Sequence, residues 1–106
     1  MTSMQELLSA VKANLILEHN HDDQLLLALI GNAVGYAEDY QHLPPSHYQT
    51  SEMSPATRQA IIMLASHFYE SRDGSTAGFW GDNPGAAGAV WDAVNRLLIL
   101  GREWKI

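Results

Sequence analysis

The chain has 106 residues, a hydrophobic fraction of 46% and a net charge of −6, which suits one ordinary globular domain with one modest core. It contains no cysteine, so disulfides, thiolate zinc sites and thiol nucleophiles are excluded together. Residues 1–55 hold seven acids against one base, Lys12, whereas residues 56–106 hold five of each; without a basic face, tight gripping of DNA is not expected.

No apolar run reaches the length of a membrane span, and the N-terminus lacks the basic-then-apolar pattern of a signal peptide. Ser3-Met4-Gln5-Glu6 reads as a capping box that opens a first helix, with Leu7, Leu8 and Val11 on its apolar face and Asn14 near its end. Leu15-Ile16-Leu17 then reads as a buried connection, since no partner hairpin follows.

Asn20-His21-Asp22-Asp23 opens a second helix. Asn or Asp can cap its free N–H groups, and the extra carboxylate suits the positive end of the dipole. Leu26, Leu29, Ile30, Ala33, Ala37 and Tyr40 share one face. The opposite face carries Ala28, Gly31 and Gly35. A glycine inside a helix costs about 1 kcal/mol relative to alanine, so two of them four residues apart are either tolerated or mark a close approach by a neighbouring subunit. Gln41 to Met53 is a polar loop in which Pro44 and Pro45 favour an extended path.

Ser54 caps the third helix, with Pro55 at its first position and Asp73-Gly74 as its stop. Ile61, Leu64, Ala65 and Phe68 make its buried stripe, flanked by Ile62 and Tyr69, and such a helix is expected at the centre of the fold. Met63 lies on an otherwise polar back beside Ser66, His67 and Glu70, where a subunit contact is one reading. The loop Asp73 to Asn83 is glycine-rich but holds no Gly-Lys-Ser/Thr for a phosphate. Its Phe79 and Trp80 either tuck onto the core or dock on a neighbour. Asp82 or Asn83 caps the last helix, whose buried stripe is Ala87, Val90, Trp91, Val94, Leu97 and Leu98 and which ends at Gly101. Trp104 and Ile106 then alternate with Glu103 and Lys105, a short strand pattern. The expected architecture is all-α: residues 1–106 as one small four-helix domain with two long loops and an extended C-terminal tail, 101–106.

Chemistry is sparse. His19-x-His21-Asp22-Asp23 is the one cluster of metal-like composition, but helical sites favour histidines four apart on one face, and a helix start explains the run. His67 and Glu70 lack the cleft and partner of an acid–base pair, and no serine sits in a nucleophile-elbow context. No catalytic, cofactor-binding or metal residue is expected.

The chain resembles the head–tail connector, or adaptor, family of long-tailed phages. The resemblance is carried by His21, Asp22 and Asp23 before a helix with Tyr36 and Tyr40, and by Pro55, Ala60, Ile61, Leu64, His67, Tyr69, Glu70 and Arg72 in the next; the run Ala89 to Trp104 matches the family's closing helix and tail. It implies a structural virion protein at the head–tail junction, present in the host cytoplasm during assembly. The family's ring, dodecameric in the virion, sits beneath the portal protein, extends the DNA channel and supports a stopper or tail completion protein. DNA passes without tight binding, and no membrane or cofactor takes part. On this reading Ala28, Gly31, Gly35, Met63, His67, Phe79 and Trp80 are candidate subunit contacts. The tail residues Arg102, Glu103, Trp104, Lys105 and Ile106 are candidates for docking on the portal by strand addition. A prophage-encoded helical adaptor or regulator outside the virion is the alternative, and a small hydrolase built on His19, His21, Asp22 and Asp23 is a third.

Overall fold

A computed structural model describes residues 3–18, 20–71 and 84–100. The described residues form α1 (Met4–Leu15), α2 (Asp23–Tyr40), a single turn α3 (His47–Thr50), α4 (Pro55–Ser71) and α5 (Pro84–Leu100), with no strand among them. None of these helices is long and apolar enough to cross a membrane.

The capping box forms as its sequence dictates. The Ser3 hydroxyl accepts the Glu6 N–H at 3.1 Å, and the Glu6 carboxylate accepts the Ser3 N–H at 3.2 Å. At the other end of α1 the Leu17 N–H reaches the Lys12 carbonyl at 2.9 Å and the Ile16 N–H the Ala13 carbonyl at 3.2 Å. This is the Schellman pattern, with Ile16 in the left-handed position (φ 58°, ψ 48°) that usually takes glycine. A β-branched residue there is strained by about 1–2 kcal/mol. The segment is also not the buried connection expected: Leu15 and Leu17 pack against the core while Ile16 between them is 84% exposed, because the left-handed turn throws its side chain outward.

α4 is the centre, as its apolar stripe implies, and packs on α5, α2 and α1. Ser54 caps it through its hydroxyl and the Thr57 N–H at 3.1 Å. The core joins Leu7 and Val11 of α1, Leu26 and Ile30 of α2, Ile61 and Leu64 of α4, and Val94 and Leu98 of α5, all essentially shut from solvent. Each such aliphatic side chain contributes about 1.5–3 kcal/mol of transfer free energy. Ala33 and Ala37 of α2 and Ala60 and Ala65 of α4 are buried as well; small side chains at a helix contact shorten the distance between axes. Two expectations for α4 and the loop before it need correction. Ser66 and His67 do not lie on a polar back, for both are buried: α1 covers the first and α5 the second. The Gln41–Met53 loop does not run extended either. The His47 N–H closes on the Pro44 carbonyl at 3.1 Å, α3 follows, and Tyr48 is buried.

Candidate functional site

Helix α2 shows why its glycines stand out. Its inward face is Leu26, Ile30, Ala33 and Ala37, and at about 100° per residue Gly31 and Gly35 fall well away from it. Both are exposed, and a Cβ added at either would meet nothing within 4 Å. Beside them opens a groove of about 550 Å³, walled by Met4 and Leu7 of α1, Val34 of α2, Tyr48 of α3, and Met53. The wall is mostly apolar, with Ser3, Glu38, Ser46 and Gln49 also lining it, and the missing glycine side chains widen its floor.

Polar groups beneath the groove hold it open. Glu38 is buried, and its two carboxylate oxygens accept the N–H groups of Ser46 (3.2 Å) and Tyr48 (2.9 Å). Gln41, also buried, donates from Nε2 to Thr57 Oγ1 and to the Leu98 carbonyl, each at 2.9 Å, and accepts the Tyr48 hydroxyl. One amide thus fastens α2, the Tyr48 turn, α4 and α5 together. With the Glu38 carboxylate already committed to two backbone donors, the groove offers shape and apolar surface to a binding partner.

A second, smaller depression of about 160 Å³ is bordered by Asn14, Met63, Ser66, His67, Glu70 and Val90. Asn14 Nδ2 donates to Ser66 Oγ at 2.8 Å, and the Ser66 hydroxyl donates to the Ile62 carbonyl at 2.7 Å. His67 is 8% exposed, with Trp91 edge-on at 6.1 Å. Burial lowers its pKa from the ordinary 6.5, with Glu70 opposing in part. The unfolded chain therefore takes up a proton at His67 at a pH where the folded chain still excludes it. The resulting stability is complete above pH 6.5 and is lost as pH falls from there through the lowered value. The melting temperature is expected to drop more between pH 7.5 and pH 5 in the natural protein than in His67→Gln; equal slopes would show that His67 titrates alike in both states.

The acidic start of α2 does tertiary work. Asp22, at the N-cap position, makes no capping hydrogen bond; its carboxylate accepts the Tyr69 hydroxyl of α4. Lys12 of α1 donates to Asp23 Oδ1 at 2.9 Å and to Asn20 Oδ1 at 2.6 Å. The run expected to cap one helix therefore ties α2 to its two neighbours. Among the described residues no three His, Asp or Glu side chains gather as metal ligands would; His19 lies outside them.

The candidate contacts separate accordingly. Gly31 and Gly35 line the groove, Ala28 is exposed on α2, and Met63 and His67 border the second depression. Phe79 and Trp80, with the rest of the loop from 73 to 83, lie outside the described residues, as do Arg102, Glu103, Trp104, Lys105 and Ile106. Sequence reasoning missed Glu38, Gln41 and Tyr48. The available signal was an aromatic residue inside an otherwise polar loop, close to two polar residues at the end of an apolar helix.

A family model described as phage gp6-like head–tail connector protein matches residues 5–83. That span includes α1 from its second residue through α4 and every residue lining the groove except Ser3 and Met4. No curated protein and no solved structure matches the chain.

Proposed function

The chain belongs to the phage gp6-like head–tail connector family, and on that premise we propose that it assembles as a ring beneath the portal, extends the DNA channel and carries the stopper and tail. The family is structural rather than enzymatic, and its place is the head–tail junction of the virion. The match over residues 5–83 carries this reading. Three features support the finer parts of it.

The open groove over Gly31 and Gly35 is a surface suited to a neighbouring subunit. The net charge of −6 suits a channel that must release DNA, because every Lys or Arg contact with phosphate adds salt-dependent affinity and hence drag. The alternating tail Arg102 to Ile106 suits strand addition on the portal. The copy number in the virion is dodecameric on this reading, and subunits wait in the host cytoplasm until heads are filled.

The test is assembly in the absence of the protein. Lysates lacking it should contain filled heads with no tails attached. Adding the purified protein should restore attachment, whereas protein lacking residues 102–106 should keep its thermal stability and fail to restore it. Tails that attach normally without the protein would overturn the connector ring and favour a regulator outside the virion. Unimpaired rescue by the truncated chain would remove the portal-docking role from the tail.

A further inference from the structure

The groove has a counterpart on the same chain. At the end of α5 two large apolar residues face solvent, Ile99 at 41% and Leu100 at 72% exposure, while Leu98 beside them is buried. Arg96, also exposed, lies four residues before Leu100 and therefore on the same side of α5; exposed Asp92 is one turn earlier still. The end of α5 reaches the groove wall through Gln41, whose amide bonds both the Leu98 carbonyl and the Tyr48 hydroxyl, whereas earlier turns of α5 pack on another side of α2. Val34 faces the groove, whereas Tyr36 faces α5, its hydroxyl donating to Asn95 Oδ1 at 2.7 Å and its ring edge-on to Trp91 at 5.3 Å. Those two residues stand about 200° apart around the helix. Ile99 and Leu100 remain exposed in this copy and so present apolar surface to the groove of a next copy.

The charges fall in register. Asp39 is exposed one turn beyond Gly35 on α2, as Arg96 is exposed one turn before Leu100 on α5. With the two helices antiparallel, Leu100 over Gly35 sets Arg96 against Asp39. Bare glycine backbone lets the incoming helix approach closely.

We propose that copies of this protein join head to tail, the Ile99–Leu100 end of α5 in one copy lying antiparallel across Gly31 and Gly35 of the next, with Arg96 facing Asp39. The contact is heterologous, so each copy uses a different surface toward each neighbour, and repetition closes into a ring when the rotation allows. The proposal rests on the ring reading above and names its surfaces.

Because the chain has no cysteine, disulfide trapping tests it cleanly. A Gly35→Cys, Leu100→Cys double variant, oxidised at high protein concentration, should give a ladder of dimers, trimers and higher species on a non-reducing gel. An equimolar mixture of the two single variants should add only the mixed dimer. Arg96→Glu in the double variant should abolish the ladder, and adding Asp39→Arg should restore it. Electron microscopy of the natural protein separates this proposal from the ring reading. Rings without a ladder would overturn the assigned surfaces and leave the ring standing. A ladder with open filaments and no rings would support the contact and overturn the closed ring. Gly35→Cys alone dimerising as readily as the mixture would mean face-to-face pairing and would overturn the head-to-tail contact.

Discussion

Leu64→Ala is expected to lower the unfolding free energy by about 2–5 kcal/mol. Leu64 is 1% exposed on α4, the helix that packs on α1, α2 and α5 alike. Truncating it removes the transfer free energy of its lost carbons and leaves a void that the surrounding helices cannot easily fill. Ala60, Ala65, Ala33 and Ala37, buried in the same core, have no side-chain freedom with which to repack. A domain of this size is stable by only about 5–15 kcal/mol, so the loss is a large share of the total. Urea unfolding checks it through a lower midpoint at unchanged slope. A midpoint within error of the natural protein would mean that α4 is not the element around which the core is built.

What could be read in the sequence was whatever depends on short separations. The Ser3–Glu6 box, the Ser54 cap, Pro55 and Pro84 at their helix starts and the buried stripes of α1, α2 and α4 follow from spacing within a turn or two, and the structure places them so. The family was legible too, because its packing pattern survives as residue types at fixed intervals. What failed involved partners far apart in the chain. Asp22 reads as a cap until Tyr69, 47 residues away, takes its carboxylate. Ser66 reads as exposed until Asn14, 52 residues away, covers it. The prolines at 44 and 45 suggest an extended path, yet Glu38 supplies acceptors for the two N–H groups of a turn that local propensity does not specify. Gly31 and Gly35 were legible as an oddity. The cavity beside them was not, because Met4, Tyr48 and Met53 reach it from three separate segments.

Gln41→Leu is expected to cost about 2–4 kcal/mol, although leucine nearly matches the side chain in size, because a buried polar group stripped of its partner loses about 1–3 kcal/mol. The amide bridges Thr57, the Leu98 carbonyl and the Tyr48 hydroxyl. Thr57 Oγ1 keeps a second bond, to the Ser54 hydroxyl at 3.1 Å, so the loss falls mainly on the Leu98 carbonyl and on Tyr48. These are the end of α5 and the wall of the groove. Tyr48→Phe should show the same coupling from the other side, since it leaves the Gln41 carbonyl oxygen buried without that hydroxyl. The double variant Gln41→Leu, Tyr48→Phe removes both halves of one hydrogen bond, and its cost should fall short of the sum of the single costs by about 1 kcal/mol or more. A thermodynamic cycle by urea unfolding measures the difference. Additive costs would mean that the two side chains do not share a bond. A neutral Gln41→Leu would mean that α5 is held by its apolar stripe alone. Where the coupling holds, Gln41→Leu should also weaken the Gly35–Leu100 disulfide ladder at temperatures well below unfolding, because the same amide positions the donor helix of that contact and the wall of its receiving groove.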